Sequence, residues 1–151
     1  MSSPETWFLV CNYGVLPFWV LLAVAPRAAI TRQVVHAAWI TWLLATVYLV
    51  ALASGSSEGG SFASLHGVMT LLSSPHAALA GWVHYLVFDL FVGAWEVRDA
   101  QRHAIPHAAV VPCLFATLML GPLGLAAYLL LRSVLRRRVS LDESTAPTTR
   151  G

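Results

Sequence analysis

The chain has 151 residues, of which 58% are hydrophobic and 11% charged, and its mean hydropathy is +0.70. Soluble domains carry about 25% charged residues, and a soluble protein of this length could not cover its surface with so few polar side chains. These figures exclude a soluble enzyme in favour of an integral membrane protein, and a formal net charge of only +2 excludes electrostatic binding of nucleic acid.

A membrane-crossing helix needs about 20 mostly apolar residues, and four such runs follow one another at 7–25, 34–53, 77–95 and 108–131. The fold expected is therefore all-α: a multi-pass, four-helix transmembrane bundle forming one domain over residues 1–141. Residues 142–151 are polar and are expected to be a disordered tail. Glu5 and the lack of basic residues ahead of Trp7 argue against a secretory signal, and nothing there resembles a transit peptide.

Pro17 lies within the first run, and Gly121-Pro122 interrupts the fourth, so both helices are expected to kink. The second connection opens with the flexible sequence SGSSEGGS. It continues with Phe62, Leu65, Met69 and Leu72 at helical spacing. That stretch is too short to span and is expected as a short interfacial helix, or as a lid over a membrane cavity.

Trp7, Trp19, Trp39, Trp42, Trp82 and Trp95 fall near helix ends, as belt residues do. Cys11 and Cys113 have no metal or redox spacing and read as small buried hydrophobes. Four spans would put Arg27, Arg32, Arg98 and Arg102 on one side and Arg132, Arg136, Arg137 and Arg138 on the other, so the positive-inside rule gives a tie.

Asp89 is the residue that packing cannot explain. A carboxylate in the middle of a spanning helix costs roughly 2.5–3.5 kcal/mol on insertion scales, so it must face the bundle interior or a cavity. A neutral, protonated Asp there is a proton donor; the alternative is a buried structural hydrogen bond or ion pair. Trp82 and Tyr85 share its helix face, with Glu96 further along, whereas His84 points elsewhere, near Phe88, Phe91 and Trp95. Beyond them, Glu96, Asp99 and Arg102 stand at helical spacing beside Arg98, His103 and His107. Either these charges neutralise one another in a membrane-surface turn, or they form the polar mouth of a site, with Arg98 or Arg102 holding a polar substrate end. The six histidines are scattered, and Pro106 separates His103 from His107, so no metal ion and no cofactor are expected.

The run HYLVFDLFVGAWEVRDAQR at 84–102 resembles the abscisic-acid-deficient-four-like family, membrane proteins of plant and cyanobacterial neoxanthin synthesis. LPFWVLLAVAP at 16–26, SFASLHGVMTLLSSP at 61–75 and PCLFATLMLGPLGLAAYLLLR at 112–132 fit the same family. The resemblance implies a four-helix membrane protein acting on, or required for processing of, a carotenoid, the associated step in plants converting an epoxide to an allene. The Ala- and Arg-rich composition suggests a bacterial cytoplasmic membrane. For such an isomerisation Asp89 is the expected acid and His84 the base. Trp82, Tyr85, Phe88, Glu96, Arg98, Asp99 and Arg102 are the expected substrate contacts. The expected partners are the lipid bilayer, a hydrophobic carotenoid-like molecule, and a second copy or another enzyme. Ala77 and Gly81 offer one small-residue face for self-association. The alternative is a non-catalytic membrane protein that binds, positions or transports a hydrophobic molecule, or scaffolds an enzyme.

Overall fold

The computed structural model describes residues 3–55 and 59–136, and among them every regular element is helical. The expected tail at 142–151, Arg137, Arg138 and part of the SGSSEGGS turn lie outside the described residues. The chain divides into two compact units, Met1–Phe91 and Val92–Gly151. Three helical segments are long and apolar enough to cross a membrane: Pro4–Val24, Ala29–Ser54 and Pro75–Arg102.

In the first unit, Ser3 caps α1 (Pro4–Gly14), its side chain accepting from the Thr6 amide. The chain breaks at Val15 and resumes as α2 (Leu16–Val24), with Pro17 in its first turn. Proline has no N–H to give there, which is why the break falls ahead of it. The second apolar segment is also divided. A short turn, α3 (Ala29–Thr31), runs into a π-helical turn at Arg32–His36. Ala38 then takes a left-handed conformation (φ 62°) before α4 (Trp39–Ser54) begins. The buried Thr31 donates to the Ala25 carbonyl (2.7 Å), which also accepts from the Ala28 amide, and Arg32 donates to the Arg27 carbonyl (2.6 Å), past the end of α2. Ser64 caps α5 (Leu65–Leu72), the helix that the spacing of Leu65, Met69 and Leu72 predicts. Phe62, Leu65, Met69 and Leu72 lie on the surface of the unit.

The long α6 (Pro75–Arg102) begins in the first unit, where Ala77, Leu79, Ala80, Val83, Leu86 and Leu90 are buried. Ala77 lies against Gly55 and Gly81 against Leu72, so both small residues make room for this chain's own packing. Of the tryptophans, Trp7, Trp39, Trp42 and Trp82 are exposed as a belt requires. Trp19 is buried, and Trp95 turns its ring onto Tyr128.

The second unit departs most from expectation. The run 108–131 is two helices, α7 (His107–Leu120) and α8 (Pro122–Arg136), reversed about Gly121. Gly121 has a positive φ of 49° and Pro122 opens the next helix, the usual residues for a helix stop and start. The two helices pack closely because position 124 has no side chain: a Cβ there would overlap the Thr117 backbone. The return carries Tyr128 and Arg132 to Asp99, and Arg136 to the Ala104 carbonyl. Arg132 and Arg136 therefore reach the C-terminal end of α6, which bears Arg98 and Arg102, and do not lie opposite to it.

Gly124→Ala is expected to force α7 and α8 apart, at a cost of about 1–3 kcal/mol or more. Thermal unfolding of the purified protein in mild detergent, compared with wild type, checks this.

Candidate functional site

The first unit holds the candidate proton donor. Spacings of three and four residues put Trp82, Tyr85 and Asp89 on one stripe of α6. The Trp82 ring lies 5.9 Å from Tyr85 and 5.5 Å from Phe8, centroid to centroid. Its indole N–H donates to Asn12 Oδ1 at 3.2 Å, which ties α6 to α1. The Tyr85 hydroxyl donates to the Asp89 carboxyl. Asp89 is only 8% exposed, and its Oδ2 has no hydrogen-bond partner among the described residues. A buried acceptor left open costs stability, and native proteins keep such groups where they serve a purpose.

His84 is elsewhere. Five residues separate it from Asp89, which is about 140° around the helix. Its ring stacks near Phe88 (4.5 Å) and Tyr48 (5.8 Å) on the exposed side of α6, and Phe88 is exposed with it. The structure thus brings together Asp89, Tyr85 and Trp82, and separately His84 and Phe88, but does not pair Asp89 with His84.

The second unit holds a different polar group. Glu96 and Asp99, expected in a solvated turn or at the mouth of a site, are buried at 0% and 3% exposure. The reason is the return of α8, which covers this face of α6. Thr117 of α7 donates to Glu96 Oε1 at 2.9 Å. Tyr128 donates to Asp99 Oδ2 at 2.6 Å, and the buried Arg132 sets its Nε 3.3 Å from the same oxygen. His103 Nε2 lies 3.5 Å from Asp99 Oδ1 and 3.2 Å from Arg132 Nη2. Arg98 is half-buried and Arg102 lies on the surface. Among the described residues no group of three or more His, Cys, Asp or Glu is arranged to hold a metal ion.

Sequence reasoning missed Asn12, Thr117, Tyr128 and Arg132. Tyr128 and Arg132 are four apart on a helix and so share a face, but their partners lie 29 or more residues away. Only the Gly-Pro reversal pointed to the meeting.

The class these features define is an all-helical protein with three helical segments long and apolar enough to cross a membrane, one of which carries a buried, hydrogen-bonded carboxyl. A family described as ABA DEFICIENT 4-like matches residues 6–128, and the chain belongs to this ABA4-like family. Protein ABA DEFICIENT 4, chloroplastic, of Arabidopsis thaliana is 25% identical over 142 residues, which cover 87% of this chain and 62% of that protein. The chain thus spans about three fifths of the length of this curated relative. No solved structure matches the chain.

Removing one member of a buried ion pair leaves the other charge stranded, at about 3–5 kcal/mol. Arg132→Met is expected to lose about that much stability, and Asp99→Asn combined with Arg132→Met to regain part of it. Denaturant unfolding of the four proteins of this double-mutant cycle reads the coupling.

Proposed function

We propose that the protein is an integral membrane protein of carotenoid metabolism that isomerises a lipid-soluble substrate by acid–base chemistry. The observation that carries this reading is Asp89: buried in an apolar helix, anchored by Tyr85, with one carboxyl oxygen open. Family membership supplies the substrate class. An epoxide-to-allene rearrangement breaks one C–O bond, adds a proton to the oxygen and removes one from a nearby carbon. It is redox-neutral and moves no net proton.

One carboxyl suffices for both transfers. Protonated Asp89 gives its proton to the epoxide oxygen as the C–O bond opens. The resulting carboxylate, steadied by the Tyr85 hydroxyl, takes the proton lost from carbon as the allene forms. The acid is then restored. Trp82 presents an indole ring beside Tyr85, suited to a cationic intermediate. His84 as base is not favoured, since the substrate would have to reach about 140° around α6 between the two transfers.

Asp89→Asn is expected to lower conversion by about 10²-fold or more in a bacterial host supplied with carotenoid epoxide, at matched membrane levels. His84→Ala is expected to retain it. Chromatography of the pigments decides; undiminished conversion by Asp89→Asn overturns the reading. The second reading is a non-catalytic binding or scaffolding protein, in which Asp89 serves only as the buried hydrogen-bond partner of Tyr85. It predicts unchanged pigments and continued pigment co-purification with Asp89→Asn.

For the membrane path, three spans and a returning hairpin replace four spans in this proposal. At 14 and 15 residues, α7 and α8 are each about 21–23 Å long, short of a hydrocarbon core of about 30 Å. Arg98, Arg102, Arg132 and Arg136 gather at one end of the second unit, and the positive-inside rule assigns that end to the cytoplasm. The exposed apolar residues of α5 fit a helix lying at the lipid surface. In protein lacking Cys11 and Cys113, single cysteines at Gln101 and Leu135 are expected to react with impermeant maleimide from the same side of the membrane. A fourth full span predicts opposite sides.

A further inference from the structure

A recess lies in the first unit, and Asp89 does not line it. It encloses about 420 Å³ between α1, α4 and the start of α6, within the range of about 300–1,000 Å³ typical of small-molecule sites. Trp7, Val47, Val50 and Leu79 make its walls apolar. Along α4 it follows one stripe from Leu43 to Ser54, eleven residues or about 16 Å. Val50 is 60% exposed, so the recess opens sideways on the surface of the unit, where a molecule dissolved in lipid enters without crossing water.

Apart from Thr46, whose hydroxyl donates to the Trp42 carbonyl of its own helix, the polar side chains of the lining gather at one end. Ser54 is the last residue of α4 and His76 the second of α6. Gly55 lets these two helix ends meet, because a Cβ there would lie 3.2 Å from the Ala77 amide nitrogen and 3.4 Å from His76 Cβ. The Ser54 hydroxyl already donates to the Val50 carbonyl, so its oxygen remains free to accept. The His76 imidazole, both donor and acceptor when neutral, makes no hydrogen bond among the described residues. No Arg lines the recess, so an anionic head would find no fixed cation.

We infer that this recess binds a long, rigid apolar molecule bearing a neutral hydroxyl at one end, seated with that hydroxyl between Ser54 and His76. The isoprenoid character of the occupant rests on the carotenoid reading above; the preference for a hydroxyl end rests on the recess alone.

The probes are zeaxanthin, hydroxylated on its end rings, and β-carotene, the same skeleton without hydroxyls. Binding to the full chain in phosphatidylcholine nanodiscs is read by quenching of Trp7, with Trp7→Phe protein giving the background. Zeaxanthin is expected to bind about tenfold more tightly than β-carotene, the worth of one or two hydrogen bonds. His76→Phe combined with Ser54→Ala, near-isosteric changes outside the packed core, erases that ratio. Val47→Trp fills the recess and weakens both pigments. Equal affinities in the wild type overturn the inference, as does undiminished zeaxanthin binding by Val47→Trp. Quenching by neither pigment also overturns it and leaves the recess to phospholipid chains. Asp89→Asn protein is expected to bind as wild type does, so a failed reaction and a failed binding site give different results.

Discussion

The second unit depends on what Asp99 holds. Its carboxylate takes the Tyr128 hydroxyl on one oxygen and lies within reach of Arg132 and His103, so one side chain of α6 fixes the whole return of α8. A buried charge without partners costs several kcal/mol; His103 stands four residues along from Asp99, and the hairpin brings in Tyr128 and Arg132. The absent side chain at Gly124 and the left-handed turn at Gly121 are the conditions for that approach. Thr117, seated against Gly124, then meets Glu96 on the same helix. Local backbone freedom and a distant ion pair therefore act together.

Asp99 of the second unit and Asp89 of the first are in different chemical situations. Asp99 is closed into a network with hydroxyl, guanidinium and imidazole groups, as a structural charge requires, while Glu96 takes the Thr117 hydroxyl on one oxygen. Asp89 has a single phenolic partner and an oxygen left open. That contrast makes Asp89 the better candidate for chemistry and Asp99 the better candidate for architecture.

Much of this was legible from sequence, in the parts governed by local rules. Helical periodicity placed α5 and put Trp82, Tyr85 and Asp89 on one stripe, and the burial of Asp89 followed from the apolar residues around it. Pro17 marked the break in the first helix. Hydropathy misled over 108–131, because summing apolar residues is blind to a reversal of direction, although Gly121-Pro122 signalled one. The left-handed Ala38 carries no sequence mark, since alanine ordinarily prolongs a helix. Pairing across 29 residues, as between Tyr128 and Asp99, is a tertiary event that no spacing rule reports.

The returning hairpin also has a bearing on how the protein is made. Burying Arg132 unpaired would cost several kcal/mol, and α7 and α8 close over it only by packing on the end of α6. Their acceptor, the end of α6, leaves the ribosome before either of them. Closure of α7 and α8 is thus a docking step, in which the Arg132 charge is buried only against a counter-charge already waiting on α6.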